Sequence, residues 1–138
     1  MVYRDTFTFR SGSDGGHLWV VASDPDQNAT RVLIVNFTTV RGVRFEDLSC
    51  VVEPGEHPRF TKPSYVAFAR ARLHTLAYLD GLEVSKTIKL DDPLSPAILS
   101  QVHAGAAIST NLPFAFLAVL EAQGFVPPDA SWPSAAPL

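Results

Sequence analysis

Apolar and polar positions change rhythm along this chain, and the changes mark its elements. Thr6-Phe7-Thr8-Phe9-Arg10 alternates polar and aromatic residues, the pattern of a half-buried strand. A Gly/Ser/Asp loop runs from Ser11 to Gly16. Leu18-Trp19-Val20-Val21-Ala22 is a short apolar run closed by the turn residues Asp24-Pro25-Asp26-Gln27-Asn28. Arg31 to Phe37 follows, β-branched and apolar on both faces. The two runs are close enough to pair as an antiparallel hairpin, and their lack of alternation puts both in the middle of a covered sheet. Ser49-Cys50-Val51-Val52 predicts a further strand, which the turn-rich Glu53-Pro54-Gly55-Glu56-His57-Pro58 cannot continue. Ser64-Tyr65-Val66-Ala67-Phe68 alternates again. From Ala69 to Leu79 the pattern fits strand and helix equally, and Leu82, Val84 and Ile88 predict extended structure up to Leu90.

The rhythm turns helical after Asp91. Ser95-Pro96 is an N-cap and first-turn pair, and Ile98, Leu99, Val102 and Ala106 recur at helical spacing. A second helix is expected from Asn111-Leu112-Pro113, with Phe114, Leu117 and Leu120 as its stripe and Gly124 as its stop. Several short strands followed by helices predict a mainly β protein, a small barrel with a helical appendix. The expected organisation is one domain over residues 1–125 and a mobile, Pro-rich tail over residues 126–138 that carries Trp132.

Composition narrows the setting. With 138 residues, 46% of them hydrophobic and 18% charged, the chain can fold without a metal or disulfide. A formal charge of −3 excludes a general electrostatic grip on nucleic acid, so any such contact needs a local basic patch. A lone cysteine, Cys50, and no apolar run of the ~18–20 residues a membrane span needs predict a cytoplasmic protein without membrane contact.

Candidate chemistry gathers in loops at strand ends. Gly15-Gly16-His17 enters a strand; Asn36-Phe37-Thr38-Thr39-Val40-Arg41-Gly42 leaves one; Gly55 to Lys62 is a turn; Ser64-Tyr65 opens the next strand. His17 and His57 can exchange protons near neutral pH. Arg41, Arg59 and Lys62 can hold a phosphate, and Thr38, Thr39 and Ser64 offer hydroxyls for positioning. Such a set fits metal-independent RNA cleavage, in which a base activates the ribose 2′-hydroxyl and cations stabilise the charge that develops. Plain structural roles are open to the same residues: a sheet-edge cap for His17, a structural place in a Pro-flanked turn for His57, ordinary strand residues for Thr38 and Thr39, solvated loop for Arg59 and Lys62. His74 and His103 receive no role, and Cys50 reads as a small buried hydrophobe. A competing constellation is zinc held by Cys50 and His57 with His17 or Asp24, although the close ligand pair of structural zinc sites is missing.

The order of these segments resembles the MazF/PemK toxin family. The resemblance is carried by Gly16-His17 leading into Leu18-Trp19-Val20-Val21-Ala22-Ser23, by Val32-Leu33-Ile34-Val35-Asn36-Phe37-Thr38-Thr39, by Ser64-Tyr65-Val66, by Arg70-Ala71-Arg72 and by the Ser95-Pro96 helix start. It spans roughly residues 16–110. It implies a small SH3-like barrel with C-terminal helices, and a toxin of a type II toxin–antitoxin system that works as an endoribonuclease without a cofactor. RNA, a cognate antitoxin and a second copy in a homodimer would be its partners. Thr38 or Thr39 matches the family's catalytic threonine. The family's arginine does not transfer cleanly, since Leu18 follows His17; either His17 or a downstream basic residue takes over its role, or the protein does not cut RNA. The Gly55-Glu56-His57-Pro58 turn is not part of the family pattern; with the residue chemistry above, His17, Thr38 and His57 are the catalytic candidates, and Thr39, Arg41, Arg59, Lys62 and Ser64 are the substrate-binding ones. The sister CcdB proteins share this barrel type but act on DNA gyrase through protein contacts, which leaves a non-enzymatic toxin or binding module as the alternative.

Overall fold

The computed structural model describes residues 1–11 and 16–127. Trp132 and most of the Pro-rich tail lie outside the described residues, as does Gly15.

Strand β3 (Val32–Thr39) is the centre of the molecule. One of its edges pairs, through Ile34 to Phe37, with β2 (Leu18–Val21), which pairs with β1 (Thr6–Phe9), which pairs with β7 (Ile88–Asp91). The other edge is shared. Near its C-terminal end β3 takes β5 (Ser64–Val66), and near its start it takes β6 (Arg72–His74). A 3-10 turn at Phe68–Arg70 separates these two strands, and the Ala67 N–H still bonds the Asn36 carbonyl at 3.0 Å. Strand β4 (Val51–Val52) adds to β5, so the path runs β4-β5-β3-β2-β1-β7, antiparallel throughout. The expected hairpin of β2 and β3 is present and central. The expected fold class holds as well: among the described residues, an antiparallel, barrel-like sheet of seven strands with two helices near the C-terminus.

Both faces of the sheet are covered, which is why β2 and β3 read as continuous apolar runs. Leu18, Val20, Leu33, Val35 and Phe37 point to one face, where helices α2 (Pro96–Ile108) and α3 (Phe114–Ala122) pack through Ile98, Leu99, Val102 and Leu120. Phe7, Trp19, Val21, Val32 and Ile34 point to the other, covered by Leu79 of helix α1 (Leu76–Val84) and by Ile88. Each such side chain fully buried contributes ~1.5–3 kcal/mol. Thr6 and Thr8 are buried too, so β1 is covered on both faces and not half-buried as its alternation predicts. Val126, after α3, is likewise buried in the core.

Two local features carry the helices. Ser95 caps α2 by accepting the Ile98 N–H, as its pairing with Pro96 predicts. Helix α1 corrects the expectation of extended structure through Leu82 and Val84. Thr75 caps it by accepting the Tyr78 N–H at 3.1 Å, and Leu76, Leu79 and Leu82 face the sheet. Only Ile88–Asp91 of that stretch is strand.

Candidate functional site

The register places the candidate residues before any loop is considered. Leu18 pairs with Phe37, which sets His17 beside Thr38 at the next step; Thr39 pairs with Ser64. One end of β2, β3 and β5 therefore gathers a histidine and three hydroxyls. The Val40 N–H bonds the Pro63 carbonyl at 2.9 Å and carries the ladder one step further, which brings Arg41 to the same end.

The turn after β4 closes over this end. Its Gly55 has φ of 93°, and Gly55 N–H bonds Phe60 O at 3.0 Å. Arg59 and Phe60 swing in as a result. Together these groups line a cavity of about 310 Å³. His17, Thr38, Thr39, Arg41, Arg59 and Ser64 supply its polar wall; Gly16, Leu18, Phe37 and Phe60 supply the rest. Among the described residues that line it there is no carboxylate. Phe37 and Phe60 meet edge to face at 4.9 Å between ring centres.

His17 is partly exposed, and its Nδ1 lies 3.3 Å from the Phe37 carbonyl oxygen. A carbonyl only accepts, so Nδ1 is the donor, and in the neutral imidazole this leaves Nε2 as the acceptor. Arg59 is divided between two tasks. Its Nη1 donates to Asp91 Oδ2 at 3.1 Å while the side chain stays 37% exposed. Burial works to raise the Asp91 carboxyl, but the Asp92 N–H and the Arg59 guanidinium outweigh it and hold that carboxyl below its ordinary value.

Two candidates stand apart. Lys62 is exposed and is not among the residues lining the cavity. His57 is 4% exposed, and both its ring nitrogens are engaged: Nδ1 accepts the Arg59 N–H at 3.0 Å and Nε2 donates to the Asp92 carbonyl at 2.7 Å. Its ring lies behind Phe60, 5.6 Å between centres. The paired acid–base role for His17 and His57 is therefore not what this geometry offers; His57 fastens the turn that delivers Arg59.

The zinc constellation does not assemble. Cys50 lies by the close approach of β4 and α2, where a Cβ on Gly105 would come within 2.6 Å of the Cys50 Cβ. Asp24 bonds Gln123 after α3, while His57 bonds Asp92 after β7. Among the described residues no group of three or more His, Cys, Asp or Glu is placed to hold a metal. Burial, with the Asp47 charge nearby, pushes the Cys50 thiol up to about 11, which removes it as a nucleophile at neutral pH.

Sequence reasoning missed the aromatic floor of the cavity. Phe37 is part of a buried apolar run and Phe60 follows a turn, so neither has a signal that separates a cavity wall from core. It also missed Asp91 and Asp92, whose role appears only when β7 returns beside β1. No helix among the described residues is long and apolar enough to cross a membrane. Compared with known protein families, curated proteins and solved structures, the chain matches none.

Proposed function

We propose that this chain is the toxin of a type II toxin–antitoxin pair and cleaves RNA without a metal, holding the scissile phosphodiester in the cavity at the end of β2, β3 and β5. The observation that carries the proposal is a wall of His17, Arg41, Arg59 and three hydroxyls, with no described carboxylate, in a chain of net charge −3. Two guanidinium groups and a histidine favour an anion there although the chain as a whole is acidic.

The chemistry follows from the orientation of His17. Nε2 takes the proton of a ribose 2′-hydroxyl, and the oxygen attacks the adjoining phosphorus. The bond from phosphorus to the 5′-oxygen breaks, and that oxygen takes a proton from solvent. Arg41 and Arg59 stabilise the charge on the phosphoryl oxygens, and Thr38, Thr39 and Ser64 orient the sugar and phosphate. A cognate antitoxin and a homodimer belong to the same proposal.

Induced expression in a bacterial host tests it. Growth arrest with fragmented RNA is expected for the wild type and not for His17→Ala. Arrest with intact RNA would favour the second reading, a toxin acting by protein contact. Ile108 supports that alternative: it is 69% exposed on α2, on the cavity beside Cys50.

A further inference from the structure

The loop that leaves β3 displays an aromatic ring where folding has no use for one. Phe45 is 97% exposed, and its φ of 69° lies in the left-handed region, where a bulky residue is strained. Strain of this kind persists only where the surroundings impose it, and it gathers at functional sites.

The surroundings do impose it. The Glu46 carboxylate accepts the N–H groups of Arg41 at 2.8 Å and Gly42 at 3.0 Å, closing residues 41–46 into a tight loop. Asp47 accepts the N–H and hydroxyl of Ser49, the Ser109 hydroxyl at 2.6 Å and the Asn111 amide at 3.2 Å, which fastens the loop to the end of α2. The loop is therefore braced at both ends, and Phe45 sits one residue from the contact that closes it on Arg41. Arg41 lines the cavity.

We propose that Phe45 is a base-stacking platform: its ring stacks on an unpaired base of a single-stranded RNA whose adjoining phosphate is held at Arg41. The proposal rests on the ribonuclease reading and adds a determinant of substrate choice to it. Bases have apolar faces, and exposed aromatics combined with cationic side chains are how proteins grip single strands with little sequence preference. Here the ring and the cavity's Arg41 are joined by one closed loop. In a duplex those faces are already stacked, so the platform selects unpaired RNA. Glu46 and Asp47 balance the charge of Arg41 and Arg44 on this loop, but their carboxylates are taken up by N–H, hydroxyl and amide donors of the fold. The two guanidinium groups of the loop favour a ligand that pairs aromatic faces with negative charge over an apolar peptide.

The test uses the full chain and a short end-labelled RNA with 2′-O-methyl groups, which block cleavage, offered as a single strand and as a duplex. Fluorescence anisotropy would follow wild type, Phe45→Ala, Phe45→Trp and Arg41→Ala. Phe45→Ala should weaken single-strand binding about tenfold or more, with Phe45→Trp restoring it and duplex binding unchanged. If Arg41→Ala weakens binding and Phe45→Ala does not, the platform is wrong and the RNA site stands. If wild type binds neither RNA, both fall. If Phe45→Ala instead changes the mass measured by sedimentation, the ring belongs to a contact between copies and the platform is overturned.

Discussion

At the scale of single residues, the two histidines proposed for catalysis separate into different tasks. His17 presents a free Nε2 to a cavity, whereas His57 spends both nitrogens on backbone groups. His57→Ala leaves the Arg59 N–H and one bond to the Asp92 carbonyl unmade in a buried site. It should lower stability by ~2 kcal/mol, read as a shift in the urea midpoint. A joint acid–base role would instead give loss of cleavage at unchanged stability. Asn36 offers a second residue-scale test. It faces Trp19 across β2 and β3; both are fully buried, and neither its amide nor Trp19 Nε1 has a hydrogen-bond partner. An unpaired buried amide costs roughly 1–3 kcal/mol. Asn36→Val should therefore raise the melting temperature; a lower one would mean that the amide is satisfied in solution.

At the scale of elements, α1 shows where sequence patterns run out. Leu82, Val84 and Ile88 fit a strand by their even spacing, while Leu76, Leu79 and Leu82 fit a helix. The decision came from the Thr75 cap and from an apolar sheet face that only the assembled strands create. The helix ends in a Schellman motif, with Lys86 N–H bonded to Glu83 O and Thr87 N–H to Leu82 O. Lys86 holds the left-handed position at φ of 59°, which glycine fills in α3 through Gly124 at 77°. Lys86→Gly should thus stabilise the protein by up to ~1 kcal/mol, measured by thermal melting. The hairpin of β2 and β3 and the Ser95 cap were legible because their signals are local. The inward turn at His57 was not, because it is fixed by Asp92, 35 residues away. The site was legible where strand register sets it, at His17, Thr38, Thr39 and Ser64, and less so at Lys62, whose charge gives no direction.

At the scale of the whole molecule, the sheet is joined to its helices by a titratable contact. His103 of α2 is buried, its Nε2 donating to the Ala22 carbonyl at 2.9 Å and its ring stacked on Phe125, which stacks on Tyr3. Burial holds the His103 imidazole below its ordinary 6.5, the Ala22 bond opposing only in part. Burial and the nearby Arg72 lower His74 in the same direction. The sign follows from proton binding. Above about pH 6.5 both groups are neutral, folded or unfolded; as pH falls below that value the unfolded chain takes up protons first. Stability should therefore decline from pH 7 toward pH 5, and His103→Gln should flatten most of the slope in urea unfolding. Burial, assisted by Asp24, also pushes the Tyr3 phenol up to about 12, so a second decline is expected as pH rises through 10.

The proposed cleavage of RNA through His17, with the ribose 2′-hydroxyl as nucleophile, leaves a chemical signature. The direct measurement is the chemistry of the cut ends after purified protein meets a single-stranded RNA, beside the same RNA with one 2′-deoxy sugar at the cleaved step. The account predicts cyclic phosphate and 5′-hydroxyl ends from wild type, no cut at the deoxy sugar, and a rate lower by about 100-fold or more in His17→Ala. Cleavage that survives the deoxy sugar or the loss of His17, or RNA left whole by the wild type, would contradict it.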